Sequence, residues 1–149
     1  MISIDRFTES AQEIAGRSAE IMQRYSHNQI DIEHMLLALI EQPQGDIPQL
    51  LEFLKVDSNA LSERLDDILR NSSPTDIVSV GPGQVSITPG VVRVITLAHE
   101  EANRQNELIS TEHLFLAIFS EPNTQTAQHL EGVGLNRDRV SDAIQQLRG

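Results

Sequence analysis

Two stretches of the chain carry the same order of polar and apolar residues. The phrase "DIEHMLLALI" begins at Asp31 and the phrase "STEHLFLAIF" begins at Ser110; each has a polar first residue, a Glu-His pair and six consecutive apolar residues. A polar cap followed by such a run predicts a helix that is buried on every side. We therefore expect two central helices, with Leu37 and Leu116 in the core.

The similarity extends beyond these two phrases. At an offset of 79 positions, the distance from Glu33 to Glu112, several identical residues meet, and upstream of the phrases the offset becomes 80. A one-residue deletion in the second copy explains this change, and such self-similarity indicates a duplicated structural unit. The identical pairs include Leu37–Leu116, Ala38–Ala117 and Pro43–Pro122 at the first offset, and Thr8–Thr88 and Arg24–Arg104 at the second.

Each copy predicts four helices. The first runs from about residue 6 to about residue 25, and its counterpart starts at the Thr88 cap with Pro89 in the first helical position. The repeated phrase forms the second helix. The third and fourth helices are indicated by apolar residues at helical spacing, which are Ile47, Leu50, Leu51 and Leu54 (matched by Ala127, Leu130 and Val133), then Leu61, Leu65 and Ile68 (matched by Val140, Ile144 and Leu147).

The segment between the copies, "NSSPTDIVSVGPGQVS", contains Pro and Gly and predicts an extended connector with a short strand-like stretch. We predict a single all-α domain over 1–149, with repeat one at 1–70, a linker at 71–86 and repeat two at 87–149. The two tandem four-helix repeats are expected to pack as a pseudo-twofold double bundle.

Composition narrows the function classes. Aromatic residues make up only 3% of the chain, so the core must be aliphatic, and no apolar run approaches the roughly 18 residues that a membrane span needs. The absence of Cys excludes disulfides and leaves the cytoplasm as the default compartment. A net charge of −11 without a basic stripe argues against binding to nucleic acid or to an anionic membrane.

The Glu-His pairs do not predict catalysis or metal binding. A helical zinc site usually has two His one turn apart, whereas Glu33-His34 and Glu112-His113 are adjacent and diverge around the helix. The chain has no G-x-S-x-G nucleophile motif and no phosphate-binding loop. We expect no enzyme activity, no cofactor and no metal.

Two interpretations of these pairs stay open. In the architectural one, each Glu favours the positive end of the helix dipole, and each His bonds the neighbouring loop and holds the first two helices in register. In the binding one, free N–H groups and a carboxylate at the helix start together recognise arginine, or arginine that carries a phosphate.

The tandem repeat and the phrases "DRFTESAQEI", "IDIEHMLLALI" and "ISTEHLFLAIF" resemble the amino-terminal domain of Clp AAA+ unfoldases, ClpB and ClpC especially. The resemblance implies a domain above an ATP-driven hexameric ring that captures misfolded or tagged proteins and, in some members, adaptor proteins. The alternative is a stand-alone Clp-repeat regulatory protein that docks on a Clp chaperone-protease assembly.

The resemblance to ClpC also implies that Glu33 and Glu112 bind phosphoarginine, with Thr8 and Thr88 as neighbouring residues of the two sites. Ile32 stands where the family usually has Thr, and the second copy has "RQNEL" where many members have a Gly-His turn. If only one of the two sites binds, we expect it to be the first.

A domain that captures unfolded proteins also needs an apolar patch that folding leaves open. The seam between two similar copies is the natural place, bordered by the linker and the first helices. The candidates are Phe7, Ile77, Val78 and Val80, and the alternative for them is ordinary packing under a loop.

Overall fold

The computed structural model describes residues 4–43, 45–71, 86–120 and 125–148. In these ranges the chain forms eight α-helices and two short strands, after a 3-10 turn at Ile4–Arg6. None of the described helices is long and apolar enough to cross a membrane. The elements are α1 (Glu9–Arg24), β1 (Gln29–Ile30), α2 (Ile32–Glu41), α3 (Asp46–Phe53), α4 (Ser58–Asn71), β2 (Ser86–Ile87), α5 (Pro89–Arg104), α6 (Thr111–Ser120), α7 (Gln125–Gly132) and α8 (Arg137–Arg148).

The helices follow one another in two matching sets of four. Helices α1 and α5 each have 16 residues, α2 and α6 each have 10, and α3 and α7 each have 8. In each set the first helix packs mainly on the second, and α3 also contacts α6 and α8 of the other set. The predicted all-α fold of two four-helix repeats is confirmed, while the repeat boundaries at 70 and 87 stay predictions.

The repeated phrases do form central helices, but not to the same degree. On α2 every residue from His34 to Ile40 is buried, and Leu36 and Leu39 are fully inaccessible to solvent. On α6 the expectation of all-round burial is wrong at two positions, because Leu116 and Phe119 are only half-buried at the edge of the core. The neighbouring helices leave these two positions partly open. Leu147, expected on the inner face of α8, is also exposed.

The two repeats exchange their backbone pairing. Strand β2, which leads into α5, pairs in parallel with β1, which leads into α2 of the first repeat. At the position that the duplication relates to this strand pair, a parallel β-bridge joins Phe7, ahead of α1, to Ile109, ahead of α6. The Thr88 N–H donates to the Ile30 carbonyl over 3.0 Å, and the Thr8 N–H donates to the Ile109 carbonyl over 2.9 Å. Each first helix therefore starts beside the second helix of the other repeat.

Candidate functional site

An open apolar groove lies between α1 and α5. It has a volume of about 260 Å³, and most of its lining is aliphatic. Its lining includes four pairs of residues that the duplication relates, so the groove lies on the pseudo-twofold seam between the repeats; we call it the seam groove. These pairs are Phe7 with Ile87, Ala11 with Val91, Ala15 with Ile95, and Met35 with Leu114.

The predicted groove residues divide into two groups. Phe7 lines the seam groove and is half-buried there. Ile77, Val78 and Val80 lie outside the described residues. Ile4 also lines the groove and is 66% exposed, so the apolar lining continues onto the open surface.

Two polar residues also line the seam groove. The Gln12 amide Nε2 donates to the carbonyl of Phe7 over 3.0 Å and to that of Ile4 over 3.2 Å. Gln12 therefore holds the segment ahead of α1 against the helix. Ser18 is 2% exposed, and its hydroxyl has no hydrogen-bond partner among the described residues.

The first histidine of the repeated phrases closes the start of α2. The Asp31 N–H donates to His34 Nδ1 over 2.8 Å, and Asp31 Oδ1 accepts from the Ile32 N–H over 2.8 Å. Since His34 Nδ1 accepts, Nε2 carries the hydrogen and donates to His27 Nδ1, 2.8 Å away in the loop after α1. Burial, helped by His27, lowers the pKa of His34 to about 4, so the ring is neutral at pH 7.

The second histidine makes equivalent bonds at the start of α6. The Ser110 N–H donates to His113 Nδ1 over 3.0 Å, and His113 Nε2 donates to Gln105 Oε1 over 2.8 Å. Gln105 lies just after α5, as His27 lies just after α1. Burial lowers the pKa of His113 as well. The architectural interpretation of both histidines is confirmed, because each one joins a second helix to the loop that follows a first helix.

The first glutamate is mostly enclosed and faces a hydroxyl. Glu33 Oε1 accepts a 3.0 Å hydrogen bond from the Thr126 hydroxyl of α7. Burial raises the pKa of Glu33, and the nearby Asp31 carboxylate raises it further. The carboxylate that faces α7 therefore favours a neutral or cationic neighbour.

The second glutamate holds a guanidinium. Arg148 Nη2 lies 2.9 Å from Glu112 Oε1, and Arg148 Nη1 lies 3.3 Å from Glu107 Oε1. The hydrogen bond to Glu112 raises the pKa of Arg148. The side chain of Glu112 is 16% exposed and that of Arg148 is 44% exposed, so the pair lies at the surface edge.

The two threonines lie beside the helices of the opposite repeats. Thr88 caps α5 and donates its hydroxyl to Asp31 Oδ1 over 3.0 Å. Thr8 caps α1 by accepting from the Ala11 N–H over 3.1 Å, and its own N–H bonds the residue before Ser110. Thr88 is therefore the neighbour of the Glu33 terminus, and Thr8 is the neighbour of the Glu112 terminus.

Three features escaped the sequence reasoning. Thr126 and Arg148 come from the last two helices, and nothing in their local sequence signals a glutamate partner. The exchange of pairing between repeats leaves no periodic pattern, because it involves very short segments. Ser18 could have been singled out from the sequence, because the repeat alignment pairs its polar side chain with the apolar Ala98.

A second cavity, of about 570 Å³, lies at the ends of α1 and α4, lined by Arg24, Tyr25 and Arg70 among others. Its cations already have acidic partners: Arg24 lies 3.1 Å from Glu41, and Arg70 lies 2.8 Å from Asp66. In the described part of the chain, no three His, Asp or Glu side chains are placed to hold a metal ion.

Comparisons with known proteins agree with this architecture. A family model described as Clp repeat (R) N-terminal domain matches residues 6–133. The chain is similar to the chaperone protein ClpB of Nitratidesulfovibrio vulgaris, with 28% identity over 150 residues that cover 99% of this chain and 17% of that protein. The chain thus spans about a sixth of the length of that relative.

Solved structures show the same fold. The crystal structure of the Hsp104 N-terminal domain from Candida albicans matches with a TM-score of 0.78 at 18% identity, covering 96% of this chain and 91% of that one. A complex of the ClpV N-domain with a VipB peptide matches with a TM-score of 0.68 at 17% identity, covering 93% and 89%. The two matching sets of helices, the paired Glu-His termini and the family match lead to one conclusion: the chain belongs to the Clp repeat N-terminal domain family.

Proposed function

We propose that this chain is the substrate- and adaptor-binding domain of a Clp-type ATP-dependent unfoldase or disaggregase of cytoplasmic protein quality control. It captures its clients in the seam groove and performs no catalysis itself. The observation that carries this proposal is the open apolar groove on the pseudo-twofold seam. The ATP-driven hexameric ring of the parent protein supplies the work of unfolding.

The chemistry of the groove suits an unfolded segment. Unfolded and partly folded chains expose apolar side chains, and an apolar surface that folding has left open favours contact with them. The groove is small, so we expect weak binding that many sequences satisfy. The net charge of −11 disfavours acidic segments and favours basic ones. The VipB peptide in the related ClpV complex supports a peptide as the occupant.

Blocking the groove tests the proposal. Ala15 lines the groove at an exposed position of α1, so Ala15→Trp should fill it without disturbing the core. The matched control is Ala60→Trp, at an exposed position of α4 that does not line the groove. The probe is the acetylated, amidated and fluorescein-labelled peptide Lys-Leu-Ile-Val-Leu-Lys, followed by anisotropy and by NMR shifts.

Ala15→Trp should weaken binding of this peptide about fivefold or more, while Ala60→Trp binds like the wild type. The NMR shifts should border the groove. Equal binding by wild type and Ala15→Trp, or shifts confined to the regions of Leu61 and Val140, would overturn the proposal.

Recognition of arginine is a second candidate function, favoured by the contact of Arg148 with Glu112. This contact supports the idea that a carboxylate at the start of α6 accepts a guanidinium. Support is weaker at α2, because the Asp31 carboxylate already accepts from the Ile32 N–H and the Thr88 hydroxyl. A phosphate at α2 would have to approach this carboxylate and lose those donors. We therefore assign arginine recognition to Glu112 rather than to Glu33, the reverse of the order that the sequence favours.

A displacement experiment tests this assignment. Phosphoarginine is titrated by calorimetry into the wild type, Arg148→Gln, Glu112→Gln and, as a control, Glu33→Gln. Arg148→Gln should bind more tightly than the wild type because it removes the internal competitor, and Glu112→Gln should lose binding by about tenfold or more. Equal heats from Arg148→Gln and Glu112→Gln, or no heat from Arg148→Gln at millimolar ligand, would reject arginine recognition.

A further inference from the structure

The seam groove contains one polar group without a partner. Ser18 lines the groove and is 2% exposed, and its hydroxyl oxygen makes no hydrogen bond to the described residues. A buried hydroxyl without a partner has lost its water and gained nothing in return, which is unfavourable for folding. The position therefore calls for a reason beyond the stability of the free chain.

The second repeat shows what this position requires for packing alone. At the offset of 80, Ser18 corresponds to Ala98 of α5, which is fully buried. The two helices are equal in length and cap type, so an alanine fits this place in the helix pair. Ala98 does not line the groove, whereas Ser18 does. The hydroxyl is present only on the copy of this position that faces the groove.

We propose that Ser18 is a polar recognition residue of the seam groove, and that its hydroxyl bonds a backbone amide of a bound apolar polypeptide segment. This inference rests on the proposed function, because it assumes that the groove is occupied. A polypeptide presents an N–H or a carbonyl at nearly every residue beside its apolar side chains. A pure hydrocarbon ligand would leave Ser18 unpaired.

The walls of the groove fit this assignment. At two matched positions the α1 wall presents the small Ala11 and Ala15, where the α5 wall presents the larger Val91 and Ile95; Ile14 is the one large aliphatic side chain that α1 adds to the lining. The small side chains allow the ligand backbone to approach α1 closely. Because the hydroxyl is covered in the free chain, the hydrogen bond forms only when the segment inserts deeply between the two helices.

The test compares a polypeptide with a hydrocarbon. Binding of the Lys-Leu-Ile-Val-Leu-Lys probe and of cyclohexane is measured by NMR titration for the wild type, Ser18→Ala and Ala98→Ser. Ser18→Ala should bind the peptide about three- to tenfold more weakly and bind cyclohexane at least as well as the wild type. Ala98→Ser, which adds a hydroxyl outside the groove, should leave peptide binding unchanged.

The outcomes separate this inference from the proposed function. Peptide binding by Ser18→Ala within twofold of the wild type would overturn the role of Ser18 and leave the groove proposal in place. Equal weakening of peptide and cyclohexane would also overturn it, because it would show a change of groove shape instead of a lost hydrogen bond. No peptide binding by the wild type would overturn both.

Discussion

The starts of α2 and α6 share a sequence phrase and a histidine bond, but their glutamates have different partners. His34 and His113 both accept a backbone N–H through Nδ1 and reach the loop behind a first helix through Nε2. Glu33 accepts from a threonine hydroxyl, whereas Glu112 holds the guanidinium of Arg148.

The difference follows from the direction in which adjacent residues point. Each histidine lies inside the bundle, where the repeated backbone fixes its surroundings. Each glutamate instead faces one of the last two helices of the second repeat, Glu33 towards α7 and Glu112 towards the end of α8. A repeated phrase thus predicts the contact within its own repeat well and the contact with a helix distant in sequence poorly.

The largest difference between the repeats should appear in core substitutions. Leu37→Ala removes a side chain that is 2% exposed and should lower the free energy of unfolding by about 2–5 kcal/mol. Leu116→Ala should cost clearly less, about 1 kcal/mol, because Leu116 is half-buried. Urea denaturation of the two variants measures this, and equal losses would show that α6 is as enclosed as α2.

Acid should destabilise the chain through His34. Its folded pKa of about 4 is below the ordinary value of 6.5, so the unfolded chain binds the proton more readily. The contribution of His34 to the free energy of unfolding is fully present above about pH 6.5. It is lost as the pH drops towards 4, and the loss for this group is about 3 kcal/mol in all. His34→Gln, which keeps a capping-box acceptor, should flatten the decline. If urea midpoints between pH 7 and 4 fall equally in His34→Gln and the wild type, His34 is not the cause.

Exchanging the matched residues of α1 and α5 should shift stability in opposite directions. Ala98→Ser places a hydroxyl in a fully buried position and should cost about 1–3 kcal/mol. Ser18→Ala removes an unpartnered hydroxyl and should leave stability unchanged or raise it. Thermal denaturation of both variants is the measurement, and a large loss from Ser18→Ala would mean that the hydroxyl has a structural partner after all.

The smallest effects belong to the glutamates. A double-mutant cycle of Glu112→Gln and Arg148→Gln should give a coupling of about 0.2–1 kcal/mol that decreases with added salt, because the pair is partly exposed. Glu33→Gln should change stability by only a few tenths of a kcal/mol, since the burial that raises the pKa of Glu33 also opposes the charge that the substitution removes. If the coupling between Glu112 and Arg148 did not change with salt, this pair would be more buried than its exposure indicates.

The sequence predicted the helices and their order well, because aliphatic residues at helical spacing and capping side chains are local signals. Asp31 and Thr88 were predicted as caps, and each of them does cap a helix. Thr8, which the predicted first helix included, caps α1 instead. Phe7 was expected at the seam between the duplicated units, and it lines the groove there, while its part in capturing clients stays a prediction.

What the sequence could not supply depends on contacts between distant segments. The partners of Glu33 and Glu112 come from positions 93 and 36 residues away, and no local pattern specifies them. The half-exposure of Leu116 likewise depends on how closely other helices cover α6. An apolar run in the sequence indicates which side chains of a helix can be buried. Which of them are buried depends on the helices that pack around it.

The exchanged pairing also constrains how the chain folds. Phe7 meets Ile109, and Ile30 meets Ile87, so the segment ahead of each first helix pairs with the other repeat. Contacts so far apart in sequence require closure of a long loop, which slows folding relative to a bundle of local hairpins. The halves should accordingly melt in a single cooperative transition, and as separate polypeptides each would need the other to acquire its native structure.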